Sequence, residues 1–195
     1  MNPIHKLAAA LTVGALSTSA FAAATIHSSS AAFLPQVAPG AYTENFDGLS
    51  AAPASFTNGE FTYTISAPSD VYASGSFLGT NQVGEALTIT FTSGNVKAIG
   101  ANFFATNISD VFQSVMISLL LSDGTTEAFT PTTAANSFRG FVSDTVITSL
   151  VITAAGASTY AGLDNLTVGT VPEPASWALA GLAIAGLAAT RRRRA

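Results

Sequence analysis

From about residue 41 to residue 169 no segment sustains a helical period, and this constrains the fold more than any other feature of the chain. Valine, isoleucine, threonine and phenylalanine dominate the stretch, and glycine, asparagine, aspartate and serine interrupt them every eight to fifteen residues. β-Branched and aromatic side chains suit a pleated, half-buried surface, and the interrupting residues tolerate the backbone angles of turns. Short strands at this spacing are the signature of an all-β sandwich or barrel, and two sheets of four or five strands would enclose a core as an antiparallel β-sandwich. Phe61-Thr62-Tyr63-Thr64-Ile65, Thr88-Ile89-Thr90-Phe91 and Leu163 to Val168 alternate, so each should turn one face to a core and the other to water. Val96 to Ala105 and Val115 to Leu121 are more continuously apolar, as central strands are. Ser122-Asp123-Gly124-Thr125 is a strong hairpin signal, because Asp-Gly accepts the positive φ of a tight turn, and Ser93-Gly94-Asn95 is a second. Strands are expected at 41–47, 60–66, 70–74, 86–92, 96–106, 113–121, 126–130, 137–143 and 146–153, with a closing strand at 161–168. Residues 25–40, with Ser28-Ser29-Ser30 and two prolines, read as a leader or an irregular first segment before a domain spanning 41–170.

The chain of 195 residues has room for one domain plus short appendages. Charged residues are 9% of it, far below the usual quarter, and the mean hydropathy is +0.44. Cysteine is absent, which excludes disulfides, iron–sulfur clusters, thiolate zinc sites and cysteine nucleophiles. The charge is uneven. Lys6 stands near the start and Arg191, Arg192, Arg193 and Arg194 at the end, leaving Lys97 and Arg139 against ten acidic residues between them, a net charge of −8. Such a domain is a poor partner for nucleic acid or any polyanion.

The two ends read as addresses. Residues 1–24 carry Lys6, an apolar run from Leu7 to Leu16 and then Ala20-Phe21-Ala22, the order of a secretory signal peptide with cleavage after Ala22 or Ala24. Residues 171–195 open with Pro172-Glu173-Pro174, whose prolines prevent a helix from running through them. The sixteen uncharged residues from Ala175 to Thr190 predict a transmembrane helix about 24 Å long, short of a hydrocarbon core of about 30 Å. Trp177 at one interface and snorkelling arginines at the other would let it span a thin inner membrane, with the arginines in the cytoplasm.

This tail resembles the PEP-CTERM sorting signal. Pro172-Glu173-Pro174-Ala175-Ser176-Trp177-Ala178 fits its PEPxxWA variant at every specified position, and the apolar helix and Arg191–Arg194 follow in the required order. The resemblance implies recognition by an exosortase-like integral membrane transpeptidase and an inner-membrane intermediate. Cleavage near the motif would then deliver the protein to the cell envelope or extracellular matrix of a Gram-negative bacterium that makes exopolysaccharide. Glu44-Asn45-Phe46-Asp47-Gly48-Leu49 and Gly162-Leu163-Asp164-Asn165-Leu166 resemble the first and last strands of the jelly-roll ectodomains that accompany this tail. Phe138-Arg139-Gly140-Phe141-Val142-Ser143-Asp144 adds to that likeness. More distantly, the domain is similar to carbohydrate-binding modules of jelly-roll form, in which a structural calcium often ties the first strand to the last. Glu44, Asp47 and Asp164 are the candidate calcium ligands, against the more ordinary reading of Asp47 and Asp164 as residues that cap turns.

Catalytic constellations are scarce. Past the expected cleavage site the one histidine is His27, no G-x-S-x-G elbow occurs, and no H-E-x-x-H zinc motif is present, so the domain reads as non-enzymatic. Paired carboxylates drawn from Asp47, Asp110, Asp144 and Asp164 would be needed for glycoside hydrolysis, but these stand in turn contexts. Tyr72 and Tyr160, in polar surroundings, are the candidate rings for stacking on a sugar, while phenylalanines such as Phe91, Phe103, Phe104 and Phe141 read as core. The sequence thus predicts an exported surface or matrix protein associated with exopolysaccharide or biofilm, and, as a second reading, a carbohydrate-binding module that uses calcium.

Overall fold

The structure, a computed structural model, describes residues 23–172. The expected signal peptide up to residue 22, and the tail from Glu173 onward with its expected transmembrane helix, Trp177, Ala178 and four arginines, lie outside the described residues. The chain opens with β1 (Thr25–His27), one helical turn α1 (Ser30–Phe33) and a 3-10 turn at Leu34–Gln36. There follow β2 (Tyr42–Glu44), β3 (Phe56–Asn58), β4 (Phe61–Ser66), β5 (Val71–Ala73), β6 (Leu78–Thr80) and β7 (Leu87–Phe91). Next come β8 (Ala98–Thr106), β9 (Phe112–Gln113), β10 (Ile117–Leu121) and β11 (Thr126–Phe129). A 3-10 turn at Ala134–Asn136 then leads to β12 (Phe138–Val142), β13 (Ser149–Ala154) and β14 (Tyr160–Gly169). Among the described residues no helix is long and apolar enough to cross a membrane.

Two antiparallel sheets enclose one core, a β-sandwich-like arrangement. The first sheet runs β1-β12-β8-β14-β6-β5, and the second runs β11-β10-β13-β7-β4-β3. β8 and β14 pair along nearly their whole length and form the centre of the first sheet. The other edge of β8 is shared by β12 and β9, and the other edge of β14 by β6 and β2. Alternation puts Tyr63, Ile65, Leu87, Ile89 and Leu119 on one wall of the core and Ile99, Ala101, Phe103, Phe141 and Leu163 on the other. On the outer face of the second sheet, Thr64 stands opposite Thr90 and Thr57 opposite Thr62. Hydroxyls rather than charges therefore meet water there, consistent with so few ionised residues.

Three sequence expectations are changed by the fold. The segment 25–40 is built into the domain rather than leading up to it: β1 pairs with β12, and Ala24 is buried with its amide donating to Thr125 Oγ1 at 2.9 Å. Ser29 caps α1 by accepting from the Ala32 amide, which aims Phe33 at the outer face of the first sheet. Phe33 is fully buried over Gly100 and Gly140, where an added Cβ would stand 2.8 Å and 2.5 Å from its ring. Secondly, Ser93-Gly94-Asn95 does not close a hairpin, because β7 and β8 belong to different sheets and the turn carries the chain across the sandwich. Asp123-Gly124 does join a hairpin, β10 to β11, with Gly124 at φ +87. Finally, the alternation of Leu163 to Val168 is interrupted by one residue. The register to β8 shifts between Asp164 and Thr167, and Asn165 takes φ +53 in a bulge that returns Leu166 and Val168 to the core.

Candidate functional site

The even-numbered residues of β8, Ala98, Gly100, Asn102, Phe104 and Thr106, face away from the core. Phe33 and Phe138 cover the first two. The last three border two hollows on the open half of the same sheet. β6 and β14 approach closely beside them because Gly79 pairs with Gly162. A Cβ on Gly79 would meet the Ala161 carbonyl at 3.0 Å, and one on Gly162 would meet the Phe104 ring at 3.3 Å. The side-chain space left by these glycines is taken by Phe77, which lies edge-on to Tyr72 at 6.2 Å and to Phe104 at 5.3 Å. The result is an aromatic row, Tyr72-Phe77-Phe104, across the outer face of the sheet.

The first hollow, about 120 Å³, is lined by Tyr72, Phe77, Thr80, Asn107, Asp110 and Tyr160, among others. Tyr72 stands on β5 and Tyr160 opens β14, so both rings chosen from the sequence meet in one cleft although 88 positions separate them. Tyr72 is 37% exposed, and its hydroxyl donates to Asp110 Oδ2 at 2.8 Å. That bond, foremost, pushes the Tyr72 hydroxyl above the ordinary tyrosine value. Asp110 sits at φ +60 in a loop organised by Asn107, whose Oδ1 accepts from the Ser109 and Val111 amides. Thr80 is 1% exposed and its hydroxyl has no hydrogen-bond partner within the described residues. The hydroxyl oxygen is itself enclosed, so it is an unmet polar cost beneath the cleft wall rather than a group offered to the cleft.

The second hollow, about 330 Å³, shares Phe77, Thr106 and Asp110 with the first and continues past Phe104 and Phe112 to Asp164. Burial pushes the Asp164 carboxyl above the ordinary aspartate value, and the charge of Asp47 adds to that rise against the Asn165 amide, which accepts no proton but donates to Oδ1 at 2.6 Å and lowers it. The expected calcium ligands are thus only partly brought together. β2 lies beside β14, with Glu44 opposite Leu166, so the strands that carry Glu44 and Asp164 are adjacent. Glu44, however, is spent internally: Oε2 accepts from the Tyr42 hydroxyl and Oε1 from the Phe46 amide at 3.1 Å. These bonds hold the turn that inserts Phe46, at φ +56, into the core. Burial, then the Glu44 bond, pushes the Tyr42 hydroxyl up to about 12, and burial raises that of Tyr63 further. Among the described residues no three His, Asp or Glu side chains gather closely enough to hold a metal ion.

Sequence reasoning missed Phe77, Phe104 and Phe112. Phe104 belongs not with the central core but with the outer face, because its neighbour Phe103 takes the inward position. The alternation of β8 carried that signal in principle, but its continuous apolarity hid which face was which.

The other functional feature lies where the domain ends. The Thr170 carbonyl accepts from the Ala38 amide at 2.9 Å, and Pro172 is exposed. The domain therefore belongs to the class of β-sandwich-like modules with an appended tail that leaves directly from the central strand β14. A family model for the PEP-CTERM protein-sorting motif matches residues 170–194, beginning at that last anchoring residue. The chain carries this signal, which is recognised by exosortase, a membrane protein, and it is an exported protein destined for the cell envelope or extracellular space. No match to the chain is found among curated proteins or among solved structures.

Proposed function

We propose that the protein is a non-enzymatic component of the cell surface or exopolysaccharide matrix whose jelly-roll-like domain binds polysaccharide through the outer face of its first sheet. One observation carries this reading: Tyr72 and Tyr160 line one cleft together with the polar side chains of Asn107 and Asp110. A sugar presents apolar ring faces beside hydroxyl edges, and rings beside amide and carboxylate groups answer both. Binding without catalysis is favoured because His27, the histidine within the described residues, packs its ring at 6.3 Å against Phe33 rather than beside the cleft. No serine–histidine pair is therefore available there.

Export and anchoring follow the same logic. We propose that a signal peptide is removed after Ala22, since removal after Ala24 would take away the buried Ala24 and its bond to Thr125. The Pro172-Glu173-Pro174 motif with Trp177, Ala178 and the arginines is then presented to an exosortase-like enzyme from an inner-membrane intermediate of a Gram-negative cell. Cleavage beyond Thr170 leaves every strand of the domain intact. The binding half of the proposal is tested by co-sedimentation of the exported protein with exopolysaccharide from its own cells. Tyr72→Ala and Tyr160→Ala should each weaken retention about tenfold, in line with about 1.4 kcal/mol for one lost stacking contact. Retention unchanged in both variants would refute it.

A further inference from the structure

The two hollows form one groove. They share Phe77, Thr106 and Asp110, and β14 runs beneath them from Tyr160 to Asp164, about 13 Å of strand. That length exceeds one sugar ring, so the groove suits the interior of a chain rather than a single terminal sugar. The charged side chains that line it are Asp110 at one part and Asp164 at the other, with Asp47 close enough to Asp164 to act on its ionisation. Asp110 accepts from the Tyr72 hydroxyl at Oδ2 alone, whereas Asp164 accepts from the Asn165 backbone amide at Oδ1, 2.6 Å, and from its side-chain amide at Oδ2, 2.7 Å, so each carboxylate keeps acceptor sites for a further donor.

The basic residues of the described domain are elsewhere. Lys97 immediately precedes β8, five residues or about 17 Å of strand before Asn102, where the groove begins, and about 30 Å before Thr106. Arg139 is committed to Glu127 at 2.9 Å and lies 3.6 Å over the Phe129 ring. His27 is on β1, two strands away from β8 on the side opposite β14. A uronate, sulfate or phosphate group in the groove would face like charge with no compensating cation, whereas an ammonium would relieve both carboxylates.

Resting on the polysaccharide-binding reading above, we infer that the groove selects chains bearing free amines, partly de-N-acetylated hexosamine polymers, and rejects uronate-rich ones. Tyr72, Phe77 and Tyr160 receive the ring faces, the Asn107 loop lies beside the ring hydroxyls, and Asp110 and Asp164 receive the amines. Amine selectivity adds to stacking rather than replacing it, so it should weaken with salt while stacking persists.

The test is titration calorimetry of the exported protein with tetramers of glucosamine, N-acetylglucosamine and galacturonate at low and moderate salt. The glucosamine tetramer should bind about tenfold or more tightly than its N-acetyl counterpart, and the galacturonate tetramer should bind weakest. Asp110→Asn with Asp164→Asn should abolish the preference for the amine while leaving N-acetylglucosamine binding in place. Asp144→Asn, an exposed acid outside the groove, serves as control for general attraction to an acidic protein. Equal binding of all three tetramers, tighter binding of the N-acetyl or galacturonate form, or an equal loss in the Asp144→Asn control would overturn the amine inference alone. No heat with any tetramer, together with exopolysaccharide retention indifferent to Tyr72→Ala, would overturn the polysaccharide reading and the inference with it.

Discussion

Phe33 decides whether residues 25–40 are a passive leader or part of the fold. In the structure it is fully buried in a small cluster with Ala98 and Phe138, separate from the main core, with Val37 and Val142 packed around it. Truncating a buried phenylalanine costs about 3–5 kcal/mol, and the low end applies to a cluster at the sheet surface that can partly collapse. Phe33→Ala should therefore destabilise by about 3 kcal/mol and lower Tm by about 6–12 °C for a domain of this size. Gly140→Ala presses on the same ring from below. Its Cβ would stand 2.5 Å from Phe33 Cδ2, 2.6 Å from Cγ and 3.0 Å from Cβ, and because the stem is included no rotation of the ring clears it. Overpacking of that kind costs about 1–3 kcal/mol. In the double variant the new methyl enters space that the ring has vacated and only the 3.0 Å contact with the Cβ of residue 33 remains, so the pair should cost about 1–2 kcal/mol less than the sum of the two single changes. Urea unfolding of the purified proteins measures this, with the midpoint moving and the slope constant. Additive costs, or a Phe33→Ala effect within about 0.5 kcal/mol of zero as for an ordinary surface change, would refute the docking of this segment.

Three further outcomes are expected. Thr80→Val removes an orphaned, enclosed hydroxyl while keeping the shape of the side chain, so it should raise stability by about 1 kcal/mol in urea and leave exopolysaccharide retention in place. No gain in stability would show that the hydroxyl is satisfied in the folded protein. The folded protein holds the Asp164 proton more tightly than the unfolded chain does, so stability should fall as pH rises from 3.8 through the raised folded value. Asp164→Asn should flatten that part of a pH series of thermal melts, and a slope unchanged by the substitution would contradict the burial argument. N-terminal sequencing of the exported protein should begin at Ala23, and a start at Thr25 would show that the Ala24 amide is dispensable.

What could be read without a fold was set by local chemistry. Alternation in β4 and β7 and the Asp123-Gly124 hairpin depend on side-chain period and turn geometry, which neighbouring residues dictate on their own. The sorting tail was equally legible because its recognition is read from consecutive residues, and the match at 170–194 covers the motif seen in the sequence. β3 and β6 were missed because three-residue strands are too short to show a period, and their pairing with β4 and β14 sustains them. The leader-like composition of 25–40 concealed Phe33, whose seat exists only because β8 and β12 bring Gly100 and Gly140 side by side.

The groove divides in the same way. Tyr72 and Tyr160 were conspicuous as rings in polar surroundings, but only the sheet order β8-β14-β6-β5 places them together, and only paired glycines let Phe77 cross between them. The candidate calcium carboxylates illustrate the converse. Sequence put Glu44, Asp47 and Asp164 at the two ends of the domain, and adjacency of β2 and β14 joined those ends. The need to hold Phe46 in the core then drew Glu44 inward, toward Tyr42 and an amide. Composition, period and address are properties of the chain read in order. Which face is covered, which carboxylate is spent and which hydroxyl is left unpaired depend on contacts between residues far apart in that order, and those arise only when the sheets close on one core.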